Sequence, residues 1–515
     1  MLGYSLRKAS FPVLCVICAA AIAAPAQTFT VLTNFSYTNG AIPYAPLIQG
    51  NDGNFYGTTN YGAKGSGEIF SVTPGGSLST FYSFCSLSGC TDGTSNASLV
   101  LATDGNFYGT TFNGGTYGYG TVFRVTPGGV LTTLYSFDIS DGAHPTVGLI
   151  QAADGNFYGT TGGGGTSNNC TLFGTNGCGT VFKITPQGAL TPLHSFNNTD
   201  GEYPDGLLVE GTDGNLYGTT FYGGTSGVGT VFKIGGGVFT SLHSFDLDGG
   251  NPEAGLVQAT NGNFYGTTFY GGGGSGTVFE MDSVSYKMTT LHVFQLADGA
   301  NPVGLVQAAD GSLYGTTDGG GSSQNCSTFG TNGCGTLFQI TLAGTLTTLH
   351  NFAASDGANP FGAPLQPIDG YFYGTTVQGG TSNNCSGLGF HGCGTVYRLA
   401  APVALSPARL NFGAEGSNRV NTPQIVTLTN NTSVSLLISG IDITGANGGD
   451  FAESNNCPIS PNTLAPGNAC NITVVFSPTS SGARNADVSI SDSGPGSPRT
   501  VPLTGIGVGG KVALR

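Results

Sequence analysis

Four acids interrupt an otherwise regular sequence: Glu202, Asp205, Glu210 and Glu253. Two carboxyl groups flanking a glycosidic bond can act as general acid and base or nucleophile, so these residues are the first candidates for catalysis. Each also reads as an ordinary solvated charge, and no nucleophile elbow, zinc-protease or P-loop signature accompanies them. His194, His243, His292 and His350 recur at one place in the repeat, where Tyr82 and Tyr135 stand in two other copies. Equivalent positions in different repeats lie far apart, so a shared metal ion, whose ligands must converge to about 2 Å, is not expected. Asp-Gly-Asn strings, and a second set at Asp141-Gly142, Asp200-Gly201, Asp298-Gly299 and Asp356-Gly357, lack the alternating oxygens of a calcium loop. They read as turns, and no cofactor is expected.

A second group of residues suits recognition. Tyr61, Phe112, Tyr117, Tyr119, Phe221, Tyr222, Phe269 and Tyr270 lie in short Gly-rich loops beside Asn and Thr. Exposed rings of this kind stack on sugar faces or anchor a protein partner, although aromatics also cover gaps between packed elements. The absence of Trp weakens sugar stacking without removing it.

Cysteine usage and charge narrow the compartment and the partners. Arg7 and Lys8, an apolar run from Phe11 to Ala24 and the exit Ala24-Pro25-Ala26 make a signal peptide over residues 1–26. The run is shorter than the roughly 20 residues of a membrane-spanning helix, and no transmembrane segment is expected elsewhere. Beyond it the cysteines fall into close pairs, Cys85/Cys90, Cys170/Cys178, Cys326/Cys334, Cys385/Cys393 and Cys457/Cys470, which in an exported chain read as disulfides. The mature chain carries 12 basic and 28 acidic residues, a net charge of −16. A nucleic-acid backbone would be repelled by it.

The elements that must position these residues come from a repeat. Tyr-Gly-Thr-Thr begins at Tyr56, Tyr108, Tyr158, Tyr217, Tyr265, Tyr314 and Tyr373. Each copy contains four short apolar runs; in the third they are Gly148 to Ala152, Phe157 to Thr161, Thr180 to Thr185 and Leu190 to Phe196. Runs of five to seven residues rich in β-branched and aromatic types, joined by Asp-Gly turns, are strands. Four antiparallel strands in about 50 residues make a propeller blade.

The fourth-strand string, such as Leu131 to Phe137 or Leu190 to Phe196, is missing after the last copy and appears instead as Phe29 to Phe35. A ring closed by the N-terminal strand explains that placement and leaves no free edge. The expected fold is all-β: a seven-bladed β-propeller over residues 27–400 and an immunoglobulin-like β-sandwich over residues 402–509, then a short tail at residues 510–515.

The recurring GLVQA-like run, Asp-Gly-Asn, Tyr-Gly-Thr-Thr, Gly-Thr-Val-Phe-Lys-Ile and Leu-Thr-Thr-Leu-His-Ser-Phe resemble the tandem "GloVer" repeat of bacterial extracellular proteins. The resemblance implies export and propeller-like repeats, and brings no catalytic residues. From Pro402 onward, strings such as LNFGAEG (Leu410 to Gly416) and LAPGNACNITVVFSPTSSG (Leu464 to Gly482) resemble Ig-like domains of the ASH and HYDIN type, also called "choice-of-anchor" domains. Such domains act as spacers or protein-contact modules.

These readings converge on a secreted, extracellular or periplasmic, non-catalytic binding protein whose propeller face recognises a glycan or an extracellular protein. The alternative is a carbohydrate-active lyase or hydrolase with carboxylates at the channel mouth.

Overall fold

Each Tyr-Gly-Thr-Thr string forms a strand, and the hydrogen bonds around it recur in most of the repeats. The computed structural model describes residues 28–509 except 173, 247–248, 324–325, 329–330, 368, 383, 386–390, 418, 433 and 495–496. The signal-peptide reading over residues 1–26 and the tail at residues 510–515 lie outside the described residues. The chain is all-β, with short 3-10 turns and no α-helix among the described residues. It therefore has no helix there that is long and apolar enough to cross a membrane.

The third repeat shows the pattern. Ile150–Gln151, Phe157–Thr161, Thr180–Ile184 and Leu190–Ser195 pair antiparallel in that order. The first strand is shorter than the run Gly148 to Ala152 implies. Residues just before it turn sideways instead, and the Thr160 hydroxyl donates to the Pro204 carbonyl of the next repeat at 3.1 Å. The same bond joins Thr110 to Val147, Thr219 to Ala254 and Thr316 to Gly362.

The Gly of Tyr-Gly-Thr-Thr recurs for a reason of space. A Cβ on Gly218 would lie 2.5 Å from Cζ of the fully buried Phe232, and Gly57, Gly266 and Gly315 meet Phe70, Phe279 and Phe338 in the same way. Gly218→Ala is expected to cost about 1–3 kcal/mol by overpacking, read as a lower midpoint in urea unfolding. The Tyr is held as well: its hydroxyl donates to the turn aspartate in Tyr56/Asp52, Tyr108/Asp104, Tyr158/Asp154 and Tyr217/Asp213, each at 2.9 Å.

At the chain's start, Phe29–Asn34 pairs antiparallel with Thr395–Ala400, the last strand of the seventh repeat. The pairing carries a bulge between Val31 and Thr33, and a register shift also separates Val181 from Phe182 in the third repeat and Val231 from Phe232 in the fourth. Phe35 donates its amide to Gly394 as Phe84, Phe137 and Phe196 do to Gly67, Gly120 and Gly179. First and last repeats also share one core, in which Phe35, Leu47 and Phe55 pack with Tyr373 and Val396.

All five disulfides join the pairs expected from spacing: Cys85–Cys90, Cys170–Cys178, Cys326–Cys334, Cys385–Cys393 and Cys457–Cys470. The first of them differs from its companions in its surroundings. Cys178, Cys334 and Cys393 are fully buried, whereas Cys90 is only half-buried and ends the 3-10 turn Ser88–Cys90. Its backbone is left-handed, at φ 51°. That turn aims the Cys90 carbonyl at two amides, of Gly93 at 2.9 Å and Gly115 at 3.1 Å. The main chain at Cys90 therefore ties the connection between the first two repeats to the next loop, and the bridge closes a surface turn instead of bordering a core.

From Val403 onward two four-stranded sheets enclose a separate core that includes Val426, Ile472, Val488 and Leu503. The Cys457–Cys470 bridge borders that core.

This C-terminal unit is docked onto the sixth repeat. Arg499, almost wholly buried, donates from Nε to Asp492 at 2.7 Å and from Nη1 to Asp310 at 3.3 Å. Asp310 is the turn aspartate of the sixth repeat. In the third repeat the turn aspartate, Asp154, takes its cation from Lys183 of its own sheet at 2.9 Å. The sixth repeat has Gln339 in that place, bonded to Asp310 and Tyr314, so the cation comes from the C-terminal unit.

Candidate functional site

The site is built on a bracket between neighbouring repeats. Six non-glycine residues that precede a proline have left-handed backbones: Ile42, His144, Tyr203, Asn251, Asn301 and Asn359, with φ between 55° and 62°. That region is uncommon for side-chain-bearing residues and disfavoured before proline, so neighbours must impose it. The amide of Tyr203 donates to Cys178 in the previous repeat at 3.0 Å, and its carbonyl accepts from Phe221 in its own at 2.9 Å. Asn251 is held between Val228 and Phe269 in the same way, and Asn359 between Cys334 and Val377. Ile42 bonds back to Cys393, which links the first repeat to the seventh. The Asn side chains add a further bond each, to Phe221, Phe269 and Asp318 carbonyls.

The residue after each of these prolines is thereby aimed at one place. Tyr44, Thr146, Asp205, Glu253, Val303 and Phe361 all line a single cavity of about 240 Å³, to which the second repeat contributes Ser98. Gly255, Gly304, Gly362 and several alanines complete the wall. One side is aromatic, with the Tyr44 and Phe361 rings edge to face at 5.0 Å, and another carries the two acids.

Burial governs the electrostatics. It pushes the Asp205 carboxyl up to about 7, partly offset by Thr146 and Tyr203 beside it. Glu253 is raised well above the carboxylate range by burial, then by the charges of Asp205 and Asp318. Asp318, 0% exposed, is likewise pushed up to about 7 by burial. Tyr44 rises to about 12 through burial and the nearby charges of Asp318 and Glu253. Asp205 and Glu253 touch the cavity and so keep some accessible surface while sitting deep in the protein, which favours their neutral forms.

Of the four acids singled out in the sequence, the structure thus brings together Asp205 and Glu253. Glu202 accepts from the Asn198 side chain at 2.6 Å. Glu210 accepts the Ala153 amide of the preceding repeat at 2.8 Å, as Gln258 does from Thr212 and Gln307 from Thr260. Glu210 is a structural tie and is removed from the catalytic candidates. Asp318 was not singled out, yet its slot, directly after Tyr-Gly-Thr-Thr, holds Asn60, Phe112, Gly162, Phe221, Phe269 and Val377 in the other repeats. That lone acid among mostly apolar residues was the available signal.

The loop aromatics divide. Tyr222 and Tyr270 are 40% and 45% exposed, and Tyr222 lies within electrostatic reach of Glu202, Glu253 and Asp205. Phe221 lies edge-on between Tyr203 and Tyr222. Phe269 is 5% exposed beneath Tyr270 and offers no free face, a correction to its reading as a contact residue. Phe112 and Tyr119 pack on His144, and Tyr61 on the core shared by first and last repeats. Tyr117 is exposed but borders a shallow groove with Leu87 and Tyr135, away from the cavity lining.

The histidines pair locally. Nε2 of His194, His292 and His350 lies 3.1, 3.1 and 3.2 Å from Asp200, Asp298 and Asp356 of the second turn set. Tyr135 donates to Asp141 in the equivalent place. Among the described residues no group of three or more His, Cys, Asp or Glu side chains is arranged to hold a metal ion.

Comparison with known proteins gives one sequence family. The Gloeobacter/Verrucomicrobia repeat matches residues 21–176, 174–386 and 274–431. No curated protein matches in sequence. Among solved structures, a gluconolactonase of Xanthomonas campestris is 15% identical, with 57% of this chain and 89% of that one covered and a TM-score of 0.36. PorZ, a surface component of the type-IX secretion system of Porphyromonas gingivalis, is 12% identical over 93% of this chain and 61% of its own, with a TM-score of 0.44. YCF48 from Cyanidioschyzon merolae is 9% identical over 72% of this chain and 98% of its own, also at 0.44.

Proposed function

This chain belongs to the Gloeobacter/Verrucomicrobia repeat family, and from that premise we propose that it is an exported, non-catalytic binding protein: a closed seven-bladed β-propeller that engages a glycan or an extracellular protein around its axial cavity. The observation that carries this reading is the convergence of one post-proline segment after another on one cavity, with the exposed Tyr222 within electrostatic reach of its acids. Closure is supported by the N-terminal strand in the last sheet, bulge included.

The C-terminal unit, read as an Ig-like spacer of the ASH and HYDIN type, docks on the turn between the first and second strands of the sixth repeat. The aromatic loops join second to third strands, at the opposite end of the sheets. The binding face is therefore left open. Five disulfides support an oxidising compartment.

Catalysis by the same acids is the second reading, favoured by a carboxyl that burial pushes up to about 7. Acid–base pairs need environments that push the two groups apart. Here Asp205 and Glu253 are both pushed upward, so their environments do not set an acid apart from a base, which favours binding. A glycan array and a surface pull-down with the mature protein test the proposal. Tyr222→Ala with Tyr270→Ala is expected to weaken capture by about tenfold or more, at the scale of a lost aromatic anchor. Capture unchanged by that double substitution, or release of reducing ends or unsaturated sugars from polysaccharides, overturns it.

A further inference from the structure

We propose that the axial cavity takes an organic ammonium group, with Glu253 and Asp205 as its counter-ions and the Tyr44 and Phe361 rings as its apolar wall. This rests on the reading of that face as a ligand-binding face and names the chemistry its centre selects.

The argument begins with missing partners. Oε2 of Glu253 is buried, belongs to a residue lining the cavity, and has no hydrogen-bond partner. The fully buried Asp318 adds its charge beside Glu253, with only the Asn359 side chain to offset its burial. Among the described residues no Lys, Arg or His lines the cavity. The nearest histidine along the chain, His144, turns its ring toward the Phe112 carbonyl at 3.1 Å. A buried carboxyl oxygen without a partner is costly, and a cation entering the cavity supplies Glu253 with one.

The kind of cation follows from the walls. A hard metal ion asks for six or more oxygens, and the cavity offers two lining carboxyls beside rings, alanines and glycines. Aromatic faces attract ammonium groups through their quadrupole, and an alkyl or aryl amine fills the apolar remainder of the space. Neutral hydroxyls would satisfy lone pairs and leave the charge uncompensated.

The groups facing the acids are Tyr203 and Thr146 at Asp205, Asp318 and Tyr44 at Glu253, with Tyr61, Tyr222 and Glu202 further out. None is a cation. Ammonium entry therefore stabilises the ionised carboxylates and must release protons near neutral pH.

Calorimetric titration of the full mature chain with benzylammonium chloride and with benzyl alcohol, in two buffers of different ionisation heat at about pH 7, reads both predictions. Benzylammonium is expected to bind at least about tenfold more tightly than the alcohol and to release protons. Glu253→Gln and Asp205→Asn should each weaken it by about tenfold or more while the alcohol is unaffected. Equal binding of the two probes, no saturable benzylammonium binding, or binding indifferent to both substitutions overturns the inference. Benzylammonium binding with an empty glycan array and pull-down would instead remove the wider binding reading and keep the cavity chemistry.

Discussion

Arg499→Ala is expected to destabilise the docking of the C-terminal unit by about 3–5 kcal/mol, the scale for removing one partner from a buried ion pair. The guanidinium bonds Asp492 through two nitrogens, at 2.7 and 3.2 Å, and Asp310 through a third, with the arginine 1% exposed. Its removal leaves two carboxylates inside a contact with no other cation among their described partners. Asp310 is already pushed upward by burial, and Arg499 is the charge that counters this.

Lys183→Ala is the matching control. It removes the same type of partner from the same turn aspartate in the third repeat, but that pair is exposed and is worth at most about 1 kcal/mol. Arg499→Lys keeps the charge and loses the fork, and should fall between the two. Thermal unfolding and limited proteolysis are the measurements: Arg499→Ala should split one transition into two and expose the connection at residues 401–402 to cleavage. A single transition at the native temperature would show that the two units are held by something else.

The second large effect is a fall in stability as pH rises from about 4 to about 7. In the unfolded chain Asp205 and Asp318 ionise near 4, but in the folded protein burial delays both to about 7. A carboxyl raised on folding contributes no penalty below its unfolded value. Its penalty grows as pH climbs and is complete above the folded value, about 1.4 kcal/mol for each pH unit of delay. Two such groups, with Glu253 raised beside them, make a term on the order of 4 kcal/mol each before relaxation reduces it.

Exposed turn aspartates act in the opposite sense. Burial is the largest single influence on Asp52, Asp104 and Asp213 and raises them, but the hydroxyl, amide and backbone donors around each together outweigh it and hold all three below the usual range. Their contribution is present above pH 4 and lost below it. Maximum stability is therefore expected at mildly acidic pH. Asp205→Asn and Glu253→Gln should stabilise the protein at about pH 7.5 and do little at about pH 4, as urea unfolding at both pH values will show. Equal effects at the two pH values would contradict the cause assigned here. If the cavity binds a cation, the same substitutions raise stability and lose affinity, the usual opposition between a fitted core and a working site.

Local chemistry made much of the architecture legible in the residues alone. Asp-Gly turns, two-residue alternation and the period of Tyr-Gly-Thr-Thr depend on neighbours a few residues away, so the strands of the third repeat fall where their residues place them. The displaced strand at Phe29 pairs with the last repeat because its side-chain pattern matches the other fourth strands. Close cysteine pairs likewise close short loops, although spacing could not tell the surface turn at Cys90 from the buried staples at Cys178 and Cys334. Asp205 and Glu253 stood out as departures from the repeat, but nothing local separated them from Glu210, which bonds the preceding repeat's backbone.

What the amino-acid sequence determined alone was the repeat, its strands and its pairing partners, since these follow from short-range turn chemistry and burial pattern. Tertiary structure decided which equivalent residues meet. Only packing between repeats brings the post-proline positions to one cavity, and only docking of the C-terminal unit lets Arg499 supply the cation that Gln339 cannot. Those outcomes depend on contacts between residues tens to hundreds of positions apart, and the free energy of each depends on the burial that the assembled protein creates.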